Sequence, residues 1–116
     1  MKKIAFTIAV LLFAIGCKDT EVCDERFALI GLNVIGKELT NSFTVRKSNG
    51  DTLNKTTEAQ GLYIVVDDNY RDQINGNEIF VFEGFIDNSR VVLEEFTVGT
   101  DDCHVIKISG VSEVKL

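Results

Sequence analysis

Apolar residues fall along this chain in short runs, each closed by glycine, asparagine, aspartate or serine. The first run, Ile4 to Ile15, follows Lys2 and Lys3 and is interrupted only by Thr7. Beyond it the prevailing period is two. From Arg26 to Gly36, Ala28, Ile30, Leu32 and Val34 alternate with Phe27, Leu29 and Ile35, which predicts a central strand buried on at least one side. Phe43-Thr44-Val45-Arg46 alternates as a half-exposed strand. Ser48-Asn49-Gly50-Asp51 predicts a type I′ hairpin, since Asn and Gly tolerate the positive φ its two central residues need; Thr52 and Leu53 open the return strand. Leu62 to Val66 is β-branched and aromatic, and Ile79 to Ile86 sets Phe80 and Phe82 against Ile79, Val81 and Phe85. Arg90 to Val98 sets Val92, Phe96 and Val98 against Val91, Leu93 and Glu95. Cys103 to Ile108 and Val111 to Leu116, parted by Ser109-Gly110, end the series. No stretch after Cys17 sustains a helical period with caps. The expectation is an all-β chain, a single antiparallel β-sandwich of about seven strands over 26–116. With no proline anywhere, its edges must be guarded by charge and bulges.

At ~1.5 Å per residue the first run is too short a helix for the ~30 Å core of a bilayer. Two lysines before it and small residues after it read as a secretory signal. Ala14-Ile15-Gly16-Cys17 resembles the lipobox of bacterial lipoproteins, where only small side chains pass the processing enzymes and only a thiol can take the lipid. The resemblance implies a cleaved signal peptide, 1–16, then a lipidated tether, 17–25, with Cys17 acylated. At ~0.8 kcal/mol per buried CH₂, two or more acyl chains hold where one is marginal. The alternative is an ordinary secretory signal with a chance cysteine. Cys17-Lys18-Asp19-Thr20-Glu21 is similar to the lysine-then-acid tether that some Gram-negative bacteria place on lipoproteins bound for the cell exterior. Its alternative is a plain solvated linker. The expected location is the outer membrane of a Gram-negative bacterium, lipid-anchored, on the cell surface or the periplasmic face.

Removing residues 1–16 leaves 100 residues, with 10 Lys plus Arg against 18 Asp plus Glu, a net charge of −8. That is one domain with room for one core. Its acidity and the lack of any basic cluster exclude nucleic acid as a partner. With Cys17 lipidated, Cys23 and Cys103 remain as a candidate disulfide in an oxidising compartment, tying the two ends of the domain. Half of a metal site is the alternative, though no second histidine or cysteine completes one.

Thr57-Glu58-Ala59-Gln60-Gly61-Leu62-Tyr63 resembles the Thr-x-x-x-Gly-x-Tyr/Phe signature of carboxypeptidase regulatory-like domains, a transthyretin-like group. There the Gly makes a turn and the aromatic enters the core. More broadly, Cys23, Tyr63 to Asp68 and Cys103-His104-Val105 resemble features of small bacterial lipoproteins carrying this sandwich. The resemblance implies an immunoglobulin/transthyretin-like fold and a disulfide, and implies no activity.

His104 is the only histidine, and beside Cys103 it suggests a nucleophile pair, yet neighbours on a strand point to opposite faces. No nucleophile elbow, His-Glu-x-x-His or phosphate loop occurs. Asp67, Asp68, Asn69 and Asp72 in one loop and Asp101 and Asp102 in another offer oxygens of the kind calcium takes, against the simpler reading of solvated turns. Tyr70 and Arg71 are types enriched at interfaces, although Tyr70 packed over the sandwich end is the favoured reading. Glu83 and Glu95 on apolar strands read as solvent-face acids sooner than as an acid–base pair. Asp51-Thr52-Leu53 resembles a short bacterial O-glycosylation site, making Thr52 a candidate acceptor. The expected function is a non-enzymatic binding or structural module with no cofactor and no metal. It would present Asp67, Asp68, Tyr70, Arg71, Asp101 and Asp102 to a protein or glycan partner. A hydrolase accessory or inhibitor and a calcium-stabilised adhesin-like domain are the alternatives.

Overall fold

The computed structural model describes Cys23 and residues 26–53, 57–59 and 61–116. The leader, Cys17 and all of the tether except Cys23 lie outside the described residues. Nine strands follow in order: β1 Leu29–Ile35, β2 Asn41–Arg46, β3 Thr52–Leu53, β4 Thr57–Ala59, β5 Leu62–Asp67, β6 Glu78–Ile86, β7 Ser89–Thr100, β8 Val105–Ser109 and β9 Glu113–Lys115. A 3₁₀ segment, Asp68–Gln73, joins β5 to β6. One sheet runs β4-β5-β1-β9 and the other β3-β2-β6-β7-β8. Among the described residues no helix is long and apolar enough to cross a membrane.

The all-β sandwich expected from the alternation is present, with refinements that the pattern did not carry. β4 spans three residues, too short for any period to register, while β3 and β9 lie where the return strand after the hairpin and the final strand are expected. β9 pairs with β1 in parallel, Asn33 opposite Glu113 and Ile35 opposite Lys115. That parallel edge arises because the chain leaves β8 in one sheet and crosses to the other through Gly110. Gly110 has φ +139°, and a Cβ there would run into the ring of Phe96.

The core lies where period two predicts it. Ile30, Leu32 and Val34 of β1 face Phe80 and Phe82 of β6 and Val92, Phe96 and Val98 of β7, all buried. Each buried phenylalanine removes roughly 150–250 Å² from water, so these rings dominate the packing. In β5 all of Tyr63–Val66 is buried, because the strand lies inside its sheet and both its faces are covered. The Tyr63 hydroxyl accepts from the Leu39 N–H (3.1 Å), which holds the 36–40 loop over the core. Leu39 in turn packs on Gly84, where a Cβ would lie 2.5 Å from its Cδ1. That contact explains a glycine in the middle of the longest hairpin, beside a bulge.

One local expectation changes, and one is completed. The β2–β3 hairpin is not type I′, since Gly50 has φ +76° but Asn49 does not enter positive φ. Instead the Asn49 Oδ1 accepts from the Asp51 N–H (2.9 Å), and this side-chain closure makes the second left-handed residue unnecessary. On β2 the buried positions are Ser42 and Thr44, while Phe43 turns outward and stacks on Phe85 with centroids 5.8 Å apart. Thr44 Oγ1 is buried with no hydrogen-bond partner, a local cost that the surrounding packing must offset.

Candidate functional site

β1 begins, and β5, β7 and the β2–β3 hairpin end, at one pole of the sandwich. The 3₁₀ segment and the Asp101–His104 loop lie there, so the two acidic loops do meet. Asp68 is the reason they hold together. Its Oδ2 accepts from the Ala28 N–H (2.8 Å) and lies 2.6 Å from His104 Nδ1; its Oδ1 accepts from the Val105 N–H (2.8 Å). The Asp68 N–H also donates to the Ala28 carbonyl (3.1 Å). One carboxylate therefore clamps the start of β1, the end of β5 and the start of β8, across both sheets. Burial pushes the Asp68 carboxyl up, but the Ala28 and Val105 N–H groups and the His104 ring outweigh it and hold it below the ordinary carboxylate range. An ionised carboxylate only accepts, so Nδ1 of His104 carries the proton of that contact.

Around this clamp the loops are cross-tied. Asp101 Oδ1 accepts from the N–H groups of Cys103 (2.8 Å) and His104 (2.7 Å). Those two donations hold the Asp101 carboxyl below its usual range. Arg71 reaches across with Nη2 to the Asp101 carbonyl (2.8 Å) and with Nη1 to Asp72 (2.9 Å), leaving its Nε buried without a partner. Asp67 caps the 3₁₀ segment by accepting from the Asn69 N–H (3.0 Å), and Tyr70 packs against the core. Cys23 and Cys103 form the expected disulfide, with Cα atoms 5.3 Å apart across a sequence separation of 80. It fastens the segment before β1 to this same pole.

A second cluster braces the pole from the other sheet. Glu78 accepts from Arg46 Nε (2.8 Å) and Nη2 (2.7 Å), from Ser48 Oγ (3.0 Å) and from the Asn75 N–H (3.0 Å). Arg46 is the main cause, with the other two donors adding to it, of a Glu78 carboxyl lowered to about 2. Sequence reading missed Glu78 and Arg46, whose pairing depends on a register across 32 residues.

The histidine and the two strand acids are not assembled into one site. Glu83 and Glu95 lie on the outer face of the five-stranded sheet, tied to Arg90 (3.2 Å) and Lys47 (3.7 Å). His104 sits at the pole with its side chain 12% exposed, and its sequence neighbour Cys103 is held in the disulfide. Among the described residues, no group of three or more His, Cys, Asp or Glu is arranged to hold a metal ion. Two open grooves, of about 340 and 290 Å³, are lined by Val34–Glu38 with Gly61 and by Lys47, Ser48, Asn77, Glu78 and Ile79; neither contains His104. Thr52 is exposed on β3.

No protein-family model matches the chain, and no curated protein or solved structure does either. What the pole can do is therefore read from its own geometry. It is a mostly acidic surface in which Arg71 bridges Asp72 and the Asp101 carbonyl, closed by a disulfide.

Proposed function

We propose that the chain is a lipid-anchored module of a bacterial cell envelope that offers the loop pole of its sandwich to a protein or glycan partner and performs no catalysis. The observation that carries this reading is the Asp68 clamp. With its carboxylate engaged by Ala28, His104 and Val105, the segments 67–73 and 101–104 form one preset surface. Preorganisation of this kind lowers the ordering cost of binding. Asp72 and Asp102 stand exposed at its rim beside Arg71. Carboxylates flanking a guanidinium suit the hydroxyls of a sugar or a basic strip of peptide. Cys17 precedes Cys23 by six residues, which span at most ~20 Å, so the anchor keeps this pole close to the bilayer and to partners lying there. Exposed Thr52 is the candidate site for a glycan on the module itself.

Arrayed glycans and immobilised envelope fractions, probed with the full chain, test the reading. The native chain should be retained, and Asp72→Lys combined with Asp102→Lys should weaken retention at least tenfold. Retention indifferent to both substitutions would remove the pole as the binding surface.

A further inference from the structure

The outer face of the five-stranded sheet is apolar, and nothing among the described residues covers it. Phe43 and Phe85 stack there, Val81 lies between β2 and β7, and Leu93 of β7 is 50% exposed. On β8, Ile106 pairs with Gly99, and Ile108 approaches the same side of Gly99; the two are 38% and 50% exposed. Strand spacing of ~4.8 Å over four strands and a rise of ~3.4 Å over seven residues make this face roughly 19 by 24 Å, or about 450 Å². That lies within the ~300–600 Å² of the largest apolar patch on a typical monomer, a patch that often has a function.

Its charge balance points to the occupant. The chain carries a net charge of −6, yet the charges on this face form two pairs, Glu83 with Arg90 and Lys47 with Glu95, which cancel. Elsewhere the acidic surface repels a second molecule of the same chain. Here an equal mix of acids and bases around an apolar centre is complementary to itself, as an isologous interface requires. Two such faces would bury about 900 Å² in total, near the ~1,000 Å² at which specific interfaces begin and so suited to a weak, reversible contact.

We propose that the outer face of the β2–β6–β7–β8 sheet docks against the same face of a second copy of this chain, forming a reversible two-fold dimer. The proposal goes beyond the loop-pole reading and does not rest on it. The test replaces Leu93 with a photoreactive phenylalanine analogue in the full chain and irradiates the producing cells. A product of twice the chain's mass is expected. Placing the analogue at Val111, exposed but on the β8–β9 crossover, should give none. Adding Ile108→Lys should cut the Leu93 product at least tenfold. The disulfide gel shift under reduction reports that this variant has folded. Absence of the double-mass product, products only with other chains, equal yield from Val111, or indifference to Ile108→Lys in the folded variant would each overturn the dimer. Asp72→Lys and Asp102→Lys should leave the product unchanged, so failure here and failure of the binding reading are told apart.

Discussion

Cys103→Ala should lower the stability of the native domain by about 4–5 kcal/mol, the largest effect expected of any single side chain here. The bond closes a loop with a sequence separation of 80, and on the chain-entropy model a loop of that length restricts the unfolded chain by about that much. It also fixes Cys23, and through it the entry to β1, against the loop that starts β8. For a domain of this size the loss corresponds to a melting temperature lower by roughly 20 °C or more. Thermal unfolding of the native chain with and without reductant, beside the variant, checks it. A drop of only a few degrees would mean that the pole is held without the disulfide.

Asp68→Asn should cost about 2–4 kcal/mol, because an amide nitrogen placed where a carboxylate oxygen accepted leaves a buried N–H without a partner. The groups at stake are the N–H of Ala28, the N–H of Val105 and Nδ1 of His104, all part-buried. The same substitution should change how stability follows pH. Asp68 titrates below its ordinary range in the folded chain, so the unfolded chain binds the proton first as pH falls. Its contribution is complete above the unfolded pKa of about 4 and is lost as pH falls through the folded value. Glu78 behaves the same way, its contribution lost as pH falls from its ordinary 4.5 down to about 2. The native chain should therefore lose stability steadily below about pH 4.5, and Asp68→Asn should lose less over that limb. Equal slopes in melts run from pH 7 to pH 2.5 would show that the carboxylate does not clamp the pole. Because Asp68 and the disulfide secure the same loops, the double substitution should cost less than the sum of the two.

The core was legible because burial on a sheet leaves a period of two. Leu32, Phe80, Phe82, Phe96 and Val98 stand at the positions the alternation marks, and all are fully buried. The period does not say which of two faces is inside, however. On β2 the answer went to Ser42 and Thr44, with Phe43 drawn outward onto Phe85 by the register of β2 against β6. β6 is apolar on both faces; in the fold its Phe80–Phe82 side is buried and its Ile79–Val81–Phe85 side half-buried. The acidic loops show a different limit. Asp67, Asp68 and Asp101 resemble any solvated turn in composition, and what sets Asp68 apart is a pair of N–H groups 40 and 37 residues away. No local signal encodes such partners. The disulfide was legible by elimination among three cysteines, once Cys17 is taken as the lipid carrier; the shared pole of the two loops was not. A strand as short as β4 leaves no pattern, since three residues cannot display one, whereas β9 falls inside the final apolar run, Val111 to Leu116.

We propose that Cys17 carries lipid and holds the disulfide-closed pole at a membrane. Metabolic labelling of producing cells with a fatty-acid probe, followed by recovery of the chain, measures it directly. The wild-type chain should take up the label and sediment with the membrane fraction, and Cys17→Ala should be unlabelled and released. A wild-type chain that stays unlabelled, or a Cys17→Ala chain labelled to the same degree, would contradict the account.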